Sequence, residues 1–274
     1  MNGFVNPLRR LWAEGQAAVN GWIACPSVLS AEALAAAGWN SITVDMQHGT
    51  ADYADLLYLL PVIERNGAVP LVRVPWLEEA AVMRALDAGA LGIIAPMIET
   101  AADAARLVAA CRYPPEGGRS FGPIRARLAW GGPGGDGYTA GANREILPLA
   151  MIETRKGVEN LEAIAATPGL GGIYIGPADL AFAHGHSPGF DREEPEMLAI
   201  IERIRQACVA WGVAPCIHCG TPDYARRMAA AGFVLTTIAS DARFIEAGAR
   251  AAVGRFRADA ARERRPVDTA GTPY

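Results

Sequence analysis

At 274 residues the chain is long enough for one large barrel or two small domains, and 51% hydrophobic with 20% charged residues is the composition of a folded globular protein. A net charge of −4 points away from nucleic acid or an anionic membrane as partner. No run reaches the roughly 18 apolar residues of a membrane span. The opening stretch Asn6-Pro7-Leu8-Arg9-Arg10-Leu11-Trp12 lacks an apolar signal core and reads as the start of a helix, so a cytoplasmic location is expected.

Short apolar runs alternate with amphipathic ones along the whole chain. The strand-like runs are 22–25, 41–44, 70–74, 92–95, 149–152, 172–175, 213–217 and 233–238, apolar on both faces as parallel strands covered by helices should be. Helical patterns fill the gaps at 54–65, 77–88, 101–111, 158–166, 194–211, 222–231 and 242–256, several ending near a glycine (Gly38, Gly67, Gly89, Gly212, Gly232). Eight such units fit a single (β/α)8 TIM barrel over residues 1–262. A doubly wound open sheet is the rival, but its Gly-x-Gly-x-x-Gly first turn is missing. Residues 112–145, after the fourth strand, form a long proline- and glycine-rich loop, read either as a lid or oligomer contact at the catalytic face or as a loose surface insertion. Residues 263–274 read as a polar, mobile tail.

Barrel active sites gather at the carboxyl ends of the strands. Asp45 and His48 follow the second strand, Arg73 ends the third, Glu153 the fifth, and Asp179 follows the sixth. Any one of these acids taken singly could be a helix cap; together they make a site. Glu153 and Asp179, one unit apart, suit Mg2+, Mn2+ or Co2+ with positions left open for a chelating 2-oxo acid. Arg73 is expected near the keto oxygen and His48, oriented by Asp45, at the proton in transfer. The backbone amides of Gly176, Ala178 and Asp179 are expected to cradle the substrate carboxylate.

The segments Val44-Asp45-Met46-Gln47-His48-Gly49, Val72-Arg73-Val74-Pro75, Tyr113-Pro114-Pro115-Glu116-Gly117-Gly118-Arg119, Ile152-Glu153-Thr154 and Ile175-Gly176-Pro177-Ala178-Asp179-Leu180 resemble, in this order, the HpcH/HpaI aldolase family. The resemblance runs from about residue 20 to 256 and implies a class II aldolase joining or cleaving a 2-oxo acid and an aldehyde through a metal-stabilised enolate. It implies Glu153 and Asp179 as metal ligands, Arg73 on the keto oxygen, His48 with Asp45 in proton transfer, and Asp87 near a subunit contact that helps order the site. It further implies a homo-oligomer, commonly a hexamer, with C-terminal helices exchanged between subunits. Two departures are Met151, where some members carry glutamine, and Ser120-Phe121-Gly122-Pro123 in place of Arg-Gly-x-Gly; they leave hydroxypyruvate beside pyruvate as donor.

Other chemistries remain open at this stage. Lys156 is the only lysine and the only candidate for a Schiff base. Arg125, Arg127 and Arg144 could serve an acyl-CoA lyase of the malyl-CoA or citramalyl-CoA type, and a barrel that only binds a ligand is a third reading. The cysteines show no disulfide framework; Cys216-Ile217-His218-Cys219 is spaced for zinc or redox work but reads better as a buried strand. His184 and His186 lie in a loop with no nameable partner.

Overall fold

The computed structural model describes residues 4–132 and 135–263, with side chains to residue 258. Eight parallel strands close into a barrel in chain order. They are β1 (Ala18–Ile23), β2 (Ser41–Asp45), β3 (Val69–Arg73), β4 (Gly92–Ala95), β5 (Leu147–Ile152), β6 (Gly172–Ile175), β7 (Ala214–Cys219) and β8 (Leu235–Ile238). Before β1 runs α1 (Pro7–Ala13); α2 (Val28–Ala35), α3 (Tyr53–Arg65), α4 (Glu79–Asp87) and α5 (Ala101–Cys111) follow β1 to β4 in turn. Between α5 and β5 lie α6 (Ile124–Trp130) and α7 (Asp136–Glu145). After β5 come α8 (Arg155–Glu159) and α9 (Leu161–Ala165), after β6 α10 (Pro177–Ala183) and α11 (Pro195–Trp211). The last two are α12 (Pro222–Ala230) and α13 (Asp241–Glu263).

The (β/α)8 barrel expected from the sequence is therefore what the chain forms. Its strands are apolar on both faces because each face is buried in a different core. Leu149, Met151, Tyr174 and Cys216 belong to the cluster that fills the barrel. Ala150, Ile152, Ile173, Ile175 and Ile217, at alternate positions, belong to the layer between barrel and helices. Helix starts follow the capping chemistry: Asp52 with Asp55 opens α3 and Thr100 with Asp103 opens α5, each as a reciprocal box. At the end of α11, Gly212 takes the left-handed conformation (φ 67°) that lets the chain turn back into β7.

Several details differ from the sequence reading. β1 begins four residues earlier than expected, at Ala18, because Asn20 and Gly21 disguise a strand whose polar member is satisfied inside the barrel. Residues 112–145 are neither lid nor loose insertion. They hold α6 and α7 against the amino-terminal side of the barrel, where Arg125 donates to both oxygens of Glu64 (2.7 and 2.6 Å) and to the Ala88 carbonyl. Trp130 donates to the Gly89 carbonyl, and the fully buried Tyr138 stacks on Phe4. The chain divides into two compact units, Met1–Asp241 and Ala242–Tyr274. From residue 264 the expected tail lies outside the described residues. Among the described residues no helix is long and apolar enough to cross a membrane.

Arg125→Ala would leave the largely buried Glu64 carboxylate and the Ala88 carbonyl without their donor. Equilibrium urea unfolding is expected to show a loss of about 1–3 kcal/mol with an unchanged m-value.

Candidate active site

Parallel register sets the site. Asp45 pairs with Arg73 across β2 and β3. Ile152 pairs with Ile175 across β5 and β6, so the next residues, Glu153 and Gly176, end neighbouring inward rows. The mouth of the barrel thereby receives an acid, a guanidinium and a second acid whose side chains are almost wholly buried: Asp45 is 2%, Arg73 8% and Glu153 2% exposed.

Arg73 and Asp45 are a two-point pair. Nε and Nη2 of Arg73 donate to Oδ1 and Oδ2 of Asp45 at 2.8 and 2.6 Å, using one edge of the guanidinium and leaving Nη1 for a ligand. Trp22 packs beneath, its ring 4.9 Å from Arg73 Cζ and its Nε1 donating to Asp45 Oδ2 at 3.3 Å. Burial alone would push the Asp45 carboxyl up. The Arg73 fork and the backbone amides of Gln47 and His48 hold it below the usual carboxylate range, so it stays ionised.

That geometry revises the expected Asp45–His48 couple. Asp45 Oδ1 accepts from the His48 backbone amide at 3.3 Å, and the two carboxylate oxygens otherwise accept from Arg73, Trp22, Gln47 and Gly49. With both oxygens engaged, Asp45 clamps Arg73 and ties down the loop after β2. His48 itself stands exposed on the same rim.

Glu153 has a different environment. Its Oε1 accepts from the Met97 amide at 2.8 Å, and Met97 adopts a left-handed backbone (φ 55°) to present that amide. Burial pushes the Glu153 carboxyl up; the Met97 amide opposes this, the Asp179 charge adds to it and Arg73 opposes it, leaving the pKa at about 7. Asp179 lies exposed in the first turn of α10. A buried acid beside a second acid fits a divalent cation, which would relieve both desolvation and repulsion. Among the described residues no group of three or more His, Cys, Asp or Glu side chains is placed to hold a metal, so a cation here would rest on these two carboxylates.

The expected anion cradle is also revised. The Gly176 amide continues the sheet, donating to the Ile152 carbonyl at 3.3 Å, so it is spent on the ladder. Gly176 contributes space instead: a Cβ there would come within 2.5 Å of Glu153 Oε2 and 2.6 Å of Met151 Cε. The amides of Ala178 and Asp179 open α10, which has no side-chain cap.

The remaining candidates fall elsewhere. Asp87 ends α4, just before β4 begins, and pairs with Arg119 at 2.7 Å, away from the carboxyl ends of the strands in this chain. Lys156 forms an exposed pair with Glu99. Arg125 and Arg144 are engaged by Glu64 and Glu145. Cys216 belongs to the inner cluster and Cys219 to the outer one, so the two thiols face opposite ways and share no ligand. His184 Nδ1 lies 2.8 Å from the Leu180 carbonyl and His186 pairs with Glu196, so they form no common site. Trp22 and Met97 were not singled out from the sequence. Trp22 ends an inward row that parity could have flagged, whereas the Met97 backbone strain leaves no mark in the residue type.

Residues 21–247 match the model of the HpcH/HpaI aldolase/citrate lyase family. A hydroxypyruvate/pyruvate aldolase of Rhizorhabdus wittichii is 41% identical over 254 residues, covering 93% of this chain and all of the relative. A 5-keto-4-deoxy-D-glucarate aldolase of Salmonella arizonae is 34% identical, covering 93% of this chain and 98% of the relative. The crystal structure of an HpcH/HpaI aldolase/citrate lyase family protein from Burkholderia cenocepacia superposes with a TM-score of 0.83 at 34% identity, covering 91% of this chain and 98% of that one.

Two outcomes follow from the site. Glu153 carries a pKa raised above its unfolded value, so in metal-stripped protein its contribution is present below about pH 4.5 and is lost as pH rises through about 7. Thermal unfolding in chelator should show Glu153→Gln gaining on the parent as pH rises over that window, by roughly 3 kcal/mol. Gly176→Ala should displace the Glu153 carboxylate and abolish activity while circular dichroism stays that of the folded barrel; full activity would show that the cradle is not needed.

Proposed function

The chain belongs to the HpcH/HpaI aldolase/citrate lyase family and is an aldolase, a carbon–carbon lyase; from that premise we propose a class II enzyme acting on a 2-oxo acid and an aldehyde. Pyruvate or hydroxypyruvate is the donor in this reading, supported by the likeness to the hydroxypyruvate/pyruvate aldolase of R. wittichii. The observation that carries it is the buried Glu153 carboxyl, raised to about 7 beside Asp179. A divalent cation between the two carboxylates would offset both the burial of Glu153 and its repulsion by Asp179.

Glu153 and Asp179 would hold Mg2+, Mn2+ or Co2+. Bound there, a divalent cation supplies Lewis-acid polarisation of the donor carbonyl. The rest falls to the chain's own groups. Arg73, locked by Asp45, presents Nη1 toward the keto oxygen and meets the negative charge that grows on it. His48, exposed on the rim, moves the proton at the donor carbon next to the carbonyl. The amides of Ala178 and Asp179 orient the donor carboxylate, and the missing Cβ of Gly176 leaves it room. An acyl-CoA lyase is the weaker reading, because Arg125 and Arg144 are engaged in internal pairs. A homo-oligomer, with α13 exchanged between subunits, belongs to the same proposal; Ile245, Val253 and Phe256 on α13 are exposed apolar side chains that such an exchange would cover.

Aldol addition of pyruvate, and separately hydroxypyruvate, to an aldehyde by EDTA-stripped protein should appear only when Mg2+, Mn2+ or Co2+ is restored. Glu153→Ala and Asp179→Ala should each lose metal retention and activity together. Arg73→Lys should keep the metal and lose most turnover, since a point charge cannot hold Asp45 through two parallel bonds and reach the substrate as well. Activity in metal-free protein, or full turnover in Arg73→Lys, would contradict the assignment.

A further inference from the structure

The loop after β4 and the segment after β5 hold one another around Glu153. The Met97 amide reaches Glu153 Oε1 at 2.8 Å from a left-handed backbone (φ 55°), a conformation that few residues besides glycine and asparagine adopt readily. One residue on, the Ile98 amide donates to the Met151 carbonyl at 3.1 Å, so the loop leans from β4 onto β5. With Oε1 taken by the Met97 amide, Oε2 is the oxygen beside Gly176, where an added Cβ would meet it at 2.5 Å. Gly176 opens the turn that carries Asp179. The Met97 amide therefore decides which oxygen of Glu153 turns toward α10.

What keeps this turn in place comes from the segment after β5. Directly beyond Glu153, Thr154 Oγ1 caps α8 by accepting from the Gly157 amide at 3.0 Å. Gly157 packs so closely on the turn that a Cβ there would come within 2.8 Å of the Ile98 carbonyl oxygen. Asn160 then stands at the amino-terminal cap of α9, where an asparagine side chain ordinarily accepts from the helix's own amides. It makes no such bond. Its Nδ2 instead donates to the Glu99 carbonyl at 2.9 Å, 61 residues back along the chain, in a partly buried setting. The chain thus closes a ring, from Glu153 through α8 to Asn160, across to Glu99, and through Met97 back to Glu153 Oε1. Lys156 bonds the Glu99 carboxylate at 3.0 Å as well, but that pair is exposed and adds little. Asn160 is the sheltered tie.

We propose that Asn160 is a positioning residue for the cation site: by holding the Glu99 carbonyl it keeps residues 97–99 in the left-handed turn that fixes Glu153. It acts through the backbone of the loop. Groups one step behind a metal ligand set that ligand's orientation, and their loss ordinarily costs about 10–100-fold in metal affinity. The inference rests on the reading of Glu153 and Asp179 as the cation's carboxylates, and the experiment separates the two.

The variants are Asn160→Leu and Asn160→Ala, which remove the donor, and each of them combined with Met97→Gly, which lets residue 97 take the left-handed backbone without the tie. The first readout, in metal-free protein, is hydrogen–deuterium exchange at the amide of residue 97. The second is the Kd for Mn2+ by isothermal titration. Exchange should quicken by about 10-fold or more in the single variants, and Mn2+ should bind about 10-fold more weakly. Adding Met97→Gly should recover about threefold or more of that affinity, which a general loss of packing at residue 160 would not allow. A Met97 amide as protected in the single variants as in the parent, or Mn2+ affinity within about twofold of the parent, would overturn the proposal. So would a Met97→Gly change that recovers no affinity. Absence of Mn2+ binding by the parent would overturn the two-carboxylate reading and this inference with it.

Discussion

The two-point bond between Arg73 and Asp45 is the constraint on which the mouth of the barrel depends. A guanidinium that is 8% exposed needs a counter-charge, and a carboxylate that is 2% exposed needs donors; adjacent register on β2 and β3 gives each the other. Once both oxygens of Asp45 are committed, several consequences follow. The loop after β2 folds onto the same carboxylate through its backbone amides. His48 is left exposed on the rim. The outer edge of the guanidinium becomes the fixed positive element of the site. Across the mouth, burial pushes the Glu153 carboxyl up, and the Met97 amide only partly opposes it.

The rest of the barrel divides its labour around that contrast. The outer layer of Ile, Leu, Val and Ala supplies the burial that holds the strands in register. The inner layer is mixed: aliphatic toward β3, β4 and β5, polar toward β1, β2 and β8. Near the acid, Met97 accepts a left-handed backbone and donates its amide to Glu153 Oε1. The amino-terminal side is closed separately, by α6 and α7 held through Arg125 and Trp130. Chemistry and support thus sit at opposite ends of the strands.

Much of this was legible in the sequence because strand parity and strand ends are written in residue type. Asp45, Arg73 and Glu153 each end an apolar run, and the register brings them together as that reading required. Hydrogen-bond allocation was less legible. Nothing in the order Asp45-Met46-Gln47-His48 tells that the carboxylate serves Arg73 instead of the imidazole; that depends on which partner is buried beside it. Gly176 was read as an amide donor, yet the ladder takes its N–H and only its missing Cβ is left to serve the site. Asp87 lies on a helix end that the single chain keeps apart from the mouth.

The central claim is that Glu153 is a buried acid, protonated near neutrality, whose proton a divalent cation displaces. Isothermal titration of Mn2+ into stripped protein, in buffers of different ionisation enthalpy, counts that proton directly. The account predicts net proton release at pH 6 that fades by pH 8.5 and disappears in Glu153→Gln. Tight Mn2+ binding with no proton released at pH 6, or with the same release in Glu153→Gln, would contradict it.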